Sequence, residues 1–264
     1  MSEAALMALM AAEPDRVAVA VSGGVDSMTL AYLAHRALAE RATLFHATSA
    51  AVPPEATERV QQHAARHGWR LEIIDAGEVA DPRYGANPPD RCFWCKTNLY
   101  AAIRRRTTAT LYSGANLDDL DDYRPGLGAA AEHGVRHPWI EAGASKTAIR
   151  RIATEHGLFE LAVLPASPCL ASRIETGIPV TVGALAVIDE LERVIGATLR
   201  PHTLRCRLRP TGIEVQLDPE ALARADQPAI TSLAREVMAA RRVNGEVSFT
   251  TYQRGSAFRR PTAR

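Results

Sequence analysis

Val17-Ala18-Val19-Ala20-Val21-Ser22-Gly23-Gly24-Val25-Asp26-Ser27-Met28 is the stretch on which the fold turns. The continuous apolar run Val17 to Val21 follows Pro14-Asp15 and stops at Ser22-Gly23-Gly24. A short β-branched run of this kind reads as a strand buried on both faces. From Asp26 the period changes, and Met28, Leu30, Ala31, Leu33, Ala34, Ala37 and Leu38 recur at helical spacing. Between strand and helix, Gly23-Gly24 lets the backbone turn sharply and come close to a ligand. The N–H groups of the turn and the positive end of the helix dipole then face one point. Ser22, Gly23, Gly24, Val25, Asp26 and Ser27 therefore form a candidate cradle for phosphate or pyrophosphate. Neither the dinucleotide fingerprint nor the Walker pattern is present.

The same alternation continues outward. Ala42 to Thr48, Leu71 to Asp75 and Thr110 to Ser113 read as further strands. Pro53-Pro54 introduces a helix from about Glu55 to His67, with Gly68 as its stop. A Pro/Gly/Asn-rich loop, Tyr84 to Arg91, precedes a helix holding Cys95 to Arg106. Strands alternating with helices imply an α/β fold, a Rossmann-like parallel sheet with helices on both faces. Ser145 to His156 reads as one more helix, capped by Ser145 and stopped at Gly157. Beyond the irregular stretch with Pro165, Pro168 and Pro179, the pattern is a helix (Val182 to Ile195) and two strands (Leu204 to Arg209, Gly212 to Leu217). A long helix (Pro219 to Arg242) and a terminal strand (Gly245 to Tyr252) follow. The expected organisation is a first domain over 1–168, a smaller α+β domain over 169–256, and a disordered Arg-rich tail over 257–264.

Composition narrows the function classes. In 264 residues, 31 Lys and Arg balance 30 Asp and Glu, which argues against a surface built for nucleic acid. No apolar run approaches the ~18 residues of a membrane helix. Met1 to Glu13 has no basic residue ahead of its apolar stretch and does not read as a signal peptide, so a cytoplasmic protein is expected. Four cysteines are too few for a disulfide scaffold, and a close pair in a reducing compartment reads as metal-binding or redox-active. Among the basic residues only Lys96 and Lys146 are lysine, and both fall beside motifs.

Ser22 to Ser27 resembles the PP-loop of the N-type ATP pyrophosphatases, which have an adenine nucleotide alpha-hydrolase-like fold. Three further blocks resemble the LarE family, ATP-dependent sulfur transferases of nickel-pincer nucleotide cofactor synthesis. They are Asn87-Pro88-Pro89-Asp90-Arg91-Cys92-Phe93-Trp94-Cys95-Lys96, Gly114-Ala115-Asn116-Leu117-Asp118-Asp119-Leu120 with Asp122-Tyr123-Arg124-Pro125-Gly126, and Pro168-Cys169-Leu170-Ala171-Ser172-Arg173-Ile174. The resemblance runs from about residue 15 to residue 256. Departures lie in the second half: Glu175-Thr176-Gly177 replaces a Pro-Tyr-Gly turn, Asp189 and Glu192 stand for an E-x-x-E pair, and Arg205-Cys206-Arg207 replaces Arg-Val-Arg.

What the resemblance implies is an enzyme that binds ATP with Mg²⁺, adenylates a carboxylate, releases pyrophosphate and inserts sulfur. The implied substrate is a small-molecule nucleotide, pyridinium-3,5-biscarboxylic acid mononucleotide. Lys96, Asn116 and Lys146 join the PP-loop as candidate ATP contacts. Asp119, Glu192 and Glu214 are candidate Mg²⁺ ligands, and Arg124, Arg173, Arg205 and Arg207 are candidate clamps for substrate phosphate or carboxylate. Cys169 is the candidate sulfur donor. Cys92, Cys95 and Cys169 are three thiols able to hold a [4Fe–4S] cluster with one iron open. The alternatives are a sacrificed Cys169 and a zinc site of all four cysteines. Cys206, inside a strand, reads as core. Sulfide or a cysteine desulfurase is the expected sulfur source, and a second copy of the chain an expected partner. Two other classes stay open: a tRNA thiolase or amide-forming ligase with the same loop, and a non-catalytic adenine-nucleotide sensor.

Overall fold

A computed structural model describes residues 3–166 and 168–259. The chain divides into two compact units, Met1–Glu78 with Cys92–Ser167, and Val79–Arg91 with Pro168–Arg264.

In the first unit, strands β1 (Val17–Ala20), β2 (Ala42–Thr48), β3 (Leu71–Asp75), β4 (Thr110–Ser113) and β5 (Val135–Arg136) form one sheet. Its order is β3-β2-β1-β4-β5 and every pairing is parallel. All four residues of β1 are buried, as a central parallel strand requires. Alternation along the strand divides them between two cores. Val17 and Val19 pack with Leu30, Leu33 and Leu44, whereas Ala18 and Ala20 pack with Phe45, Tyr100, Ile103 and Leu111. Each face is thus covered by helices, giving the expected α/β architecture. The helix Pro54–His67 starts on its proline and ends at Gly68 in the left-handed region, φ +66°.

Several boundaries differ from expectation. β1 ends at Ala20, although the Val21 N–H still bonds to the Phe45 carbonyl at 2.9 Å. The helix through Cys95 is Arg91–Arg104, so Cys92 lies in its first turn. β5 was not anticipated, because two residues carry no periodicity. An N-terminal helix, Glu3–Ala11, buries Leu6 and Met10. Among the described residues no helix is long and apolar enough to cross a membrane.

In the second unit, β6 (Leu204–Arg209) and β7 (Gly212–Leu217) form an antiparallel pair, and β8 (Glu246–Thr251) joins β7 in parallel. The helix Val182–Leu199 packs on them, with the Thr181 hydroxyl capping the Ala184 N–H. The single long helix expected over Pro219 to Arg242 is two, Pro219–Arg224 and Gln227–Ala240. Asp226 caps the second helix through the Ala229 N–H and Pro228 occupies its first turn, which fixes a new start there.

The segment Val79–Arg91 belongs to this unit. Asn87, wholly buried and at φ +53°, donates from Nδ2 to the carbonyls of Glu175 and Ile178, both at 2.8 Å. Its own carbonyl accepts the Gly177 N–H at 2.9 Å. Of the tail expected over 257–264, Ala257 is buried and accepts the Thr176 N–H, and Arg259 pairs with Glu175. Residues 260–264 lie outside the described residues.

Candidate active site

The loop after β1 is wound around one hydroxyl. Ser27 Oγ accepts the Ser22 N–H at 3.0 Å, lies 3.1 Å from Ser22 Oγ, and is 3.2 Å from the Gly24 carbonyl. Gly23 sits at φ +80°, and a Cβ there would stand 2.7 Å from the Ala56 carbonyl oxygen. Arg59 Nη1 donates to the Gly23 carbonyl at 2.8 Å. His46 holds the base of the loop: Nδ1 bonds the Val21 carbonyl and Nε2 the Thr57 hydroxyl, both at 2.9 Å. A carbonyl only accepts, so Nδ1 carries the proton and Nε2 accepts. Burial lowers the pKa of this imidazole, consistent with the neutral form. Gly24 begins the helix Val25–Leu38 without a side-chain cap. The first-turn N–H groups thus have neither an intrahelical acceptor nor a capping side chain.

Asp26 lies in that first turn. Its Oδ2 is 3.0 Å from Lys146 Nζ, while Oδ1 is buried without a hydrogen-bond partner. Burial raises its pKa and Lys146 opposes the rise. The indole N–H of the buried Trp139 donates to the Asp26 carbonyl at 2.9 Å. Lys146 opens the helix Lys146–Glu155, whose cap is Ser145 through the Ala148 N–H. Its own N–H donates to Asp118 Oδ2 at 3.0 Å.

The loop after β4 closes the other side. Asn116 Oδ1 accepts the Asp118 N–H at 3.0 Å, and Asp119 Oδ2 accepts the Asn116 N–H at 3.1 Å. Asp119 Oδ1 is 2.8 Å from Arg124 Nη2, so this expected cation ligand and this expected substrate clamp hold each other. Ser113 Oγ, at the end of β4, lies 2.8 Å from His137 Nδ1. Burial lowers the pKa of His137, opposed by the Glu141 carboxylate and the Ser113 hydrogen bond, with a smaller lowering from the Lys96 charge. The Lys96 ammonium lies 5.9 Å from the centre of the Tyr100 ring. The first unit thus gathers the PP-loop, Asn116 and Lys146 at the C-terminal ends of β1 and β4, where open parallel sheets bind ligands. It adds His46, Ser113, His137 and Trp139, which sequence reading missed. A lone histidine before a proline and a single tryptophan carry no motif.

In the second unit, Cys169 is half-buried and precedes the short helical turn Leu170–Arg173. Arg173 is almost wholly buried. It donates to both oxygens of Glu192, from Nε at 3.0 Å and Nη2 at 2.9 Å, and from Nη1 to the carbonyls of Pro168 and Cys169. Glu192 Oε1 also accepts the Cys206 N–H at 2.9 Å. The buried Arg207 binds Gln216 Oε1 and the carbonyls of Ser172 and Gln253; burial lowers its pKa to about 10. Burial lowers the Arg205 pKa as well. Glu214 Oε1 accepts from Arg209 and from Gln216. Arg173, Arg207, Glu192 and Glu214 therefore all engage protein groups. Cys206 is wholly buried and burial pushes its pKa far up, as expected of a core thiol.

The chemistry of these donors is uneven. The buried, unpartnered Asp26 Oδ1 is a hard oxygen ligand of the kind Mg²⁺ takes, so that cation fits. Cys92 and Cys95 stand half-buried in the first two turns of Arg91–Arg104. Among the described residues no group of three His, Cys, Asp or Glu side chains stands together as a metal site; Cys92 and Cys95 belong to the first unit and Cys169 to the second.

No protein-family model matches the chain. It is 36% identical to an uncharacterized protein of Synechocystis, slr1717, over 80% of this chain and 79% of the relative. It is 30% identical to pyridinium-3,5-bisthiocarboxylic acid mononucleotide synthase of Lactiplantibacillus plantarum, over 78% of this chain and 75% of the relative. An uncharacterized protein of Methanocaldococcus jannaschii, MJ0830, is 26% identical over 68% of this chain and 69% of the relative.

Proposed function

The chain belongs to the LarE family of ATP-dependent sulfur transferases, and from that premise we propose that it adenylates a carboxylate of pyridinium-3,5-biscarboxylic acid mononucleotide and replaces the activated oxygen with sulfur. The observation that carries this reading is Asp26, a half-buried carboxylate with one unpartnered oxygen beside an uncapped helix start. The carboxylate oxygen of the substrate attacks the α-phosphorus of ATP and the bond to the β-phosphate oxygen breaks. Pyrophosphate leaves into the uncapped first-turn N–H groups of the helix Val25–Leu38, which stabilise the charge that develops on it. Asp26 would hold Mg²⁺, which neutralises phosphate charge when bound. Lys146 adds a positive charge to the same cradle.

Sulfur then comes from Cys169. Its thiolate attacks the acyl-adenylate, AMP leaves, and a thioester links substrate and protein. Loss of the Cys169 α-proton and cleavage of the Cβ–S bond release the thiocarboxylate and leave dehydroalanine. Each turnover of this kind consumes one Cys169.

The reading is tested by pyrophosphate release from ATP and the biscarboxylic mononucleotide. Asp26→Ala is expected to lower release by about 100-fold or more while remaining folded. Release at the wild-type rate from that variant overturns the assignment. ATP binding without pyrophosphate release by the wild-type protein makes it a nucleotide sensor instead.

A further inference from the structure

We propose that Lys146 is the resident counter-ion of Asp26 in the nucleotide-free protein, and that nucleotide binding exchanges this ammonium for a divalent cation while Lys146 turns to the phosphates. The proposal deepens the nucleotide-site reading above and rests on it. The Lys146 ammonium meets Asp26 Oδ2 at 3.0 Å and leaves Oδ1 buried with no partner. A carboxylate offers about four lone-pair sites, so this pairing satisfies only part of what burial has taken from water.

The position of Lys146 is itself unfavourable. It is the first residue of the helix Lys146–Glu155, where the dipole disfavours a cation. Two carboxylates offset this: Asp118 accepts its N–H and Asp26 faces its ammonium. An anionic phosphate at the same terminus would relieve the ammonium in the same way. The main chains of both partners are fixed, Asp26 by the Trp139 indole and Lys146 by Asp118. The exchange therefore needs only the flexible four-carbon lysine stem to move.

Residue choice points the same way. Only Lys96 and Lys146 are lysine in a chain otherwise using arginine. An arginine here would present a planar fork able to hold both oxygens of Asp26. Lysine is a single point charge and can be displaced.

The test is Mn²⁺ binding, followed by loss of the free Mn²⁺ electron paramagnetic resonance signal, with and without a non-hydrolysable ATP analogue. Wild-type protein is expected to bind Mn²⁺ weakly alone and more tightly with the analogue. Lys146→Met is expected to bind Mn²⁺ alone roughly tenfold more tightly, and the analogue more weakly, because a unit charge beside a half-buried carboxylate is removed. Lys146→Gln gives the same reading should the Met variant not fold. Lys146→Arg is expected to suppress Mn²⁺ binding in both states, and Asp26→Asn to abolish it. Folded Lys146→Met or Lys146→Gln with wild-type Mn²⁺ affinity overturns the exchange while leaving the nucleotide site standing. Failure of the wild-type protein to bind the analogue overturns both.

Discussion

Arg173 and Glu192 form a two-pronged ion pair inside the second unit, Nε to Oε1 at 3.0 Å and Nη2 to Oε2 at 2.9 Å. The remaining nitrogen of the guanidinium, Nη1, binds the carbonyls of Pro168 and Cys169 and the Ser172 hydroxyl. The pair thus holds the main chain that carries Cys169, the proposed sulfur donor. Arg173→Lys keeps the charge but loses the fork. It is expected to slow sulfur transfer by roughly 10- to 100-fold through misplacement of Cys169, with pyrophosphate release unchanged. Glu192→Ala leaves a buried guanidinium unpaired and is expected to cost about 3–5 kcal/mol of stability, read by denaturant titration. Equal loss of pyrophosphate release and sulfur transfer in Arg173→Lys would show a wider role.

Close approach, not only backbone freedom, makes two glycines necessary at the nucleotide loop. A Cβ at Gly114 would stand 2.8 Å from the Ser27 N and Cα, and one at Gly23 would stand 2.7 Å from the Ala56 carbonyl. Both contacts are with backbone that cannot swing aside. Gly114→Ala and Gly23→Ala are expected to weaken ATP binding by about tenfold or more, by calorimetry, with far-ultraviolet dichroism near wild type. Gly68→Ala is the control. It also has positive φ but nothing within 4 Å, so it should lose about 1–2 kcal/mol of stability and keep its ATP affinity.

The first βαβ unit was legible because its signals are local: an apolar run, Gly23-Gly24, then 3.6-residue spacing from Asp26. β5 was not, since Val135–Arg136 is defined by its partner Leu111-Tyr112 and not by its own pattern. Nor was the membership of Val79–Arg91 in the second unit, which depends on Asn87 meeting Glu175 and Ile178 some ninety positions away. Among site residues the PP-loop, Asn116 and Lys146 came from motifs. Five other expected residues were read singly, without their neighbours. Glu192 and Arg173 answer each other, as do Asp119 and Arg124, and Glu214 answers Arg209. Ion pairing of this kind is invisible to spacing.

A histidine cluster away from the nucleotide loop makes stability depend on pH. His63, His67 and Trp69 stack with ring centres 5.4–6.0 Å apart, and Tyr32 meets His67 edge-on at 5.2 Å. His63 Nδ1 and His67 Nε2 are buried without hydrogen-bond partners. Burial lowers both pKa values; Arg66 lowers both further, with Arg59 acting on His63 and His35 on His67, and Glu160 opposes. Between the folded and unfolded pKa values the unfolded chain binds more protons than the native one. Stability is therefore full above about pH 6.5 and falls as pH drops below it, by up to about 1.4 kcal/mol per pH unit for each such proton. The thermal midpoint of the wild-type protein is expected to drop between pH 7.5 and 5.5. His63→Gln with His67→Gln should flatten part of that drop, with His46 and His137, also lowered by burial, retaining the rest. An unchanged slope in the double variant removes the cluster as its source.

The two thiols of the second unit are expected to behave oppositely. Cys169 is half-buried and begins a turn held by Arg173, whereas Cys206 lies wholly buried in β6 with its pKa pushed far up. A wholly buried thiol whose ionisation is opposed by burial reads as a core side chain. Cys206→Ala should lose about 1 kcal/mol of stability and transfer sulfur at the wild-type rate. Cys169→Ser should release pyrophosphate with the biscarboxylic mononucleotide yet form no thiocarboxylate. Mass spectrometry of wild-type protein after one turnover then identifies the sulfur. A loss of about 34 Da at Cys169, the mass of hydrogen sulfide, marks the thiol itself as donor. An unaltered Cys169 after several turnovers with added sulfide instead places the transferred sulfur outside the chain. In that case Cys92→Ala and Cys95→Ala should abolish the repeated turnover, because these two cysteines stand together in the first two turns of Arg91–Arg104.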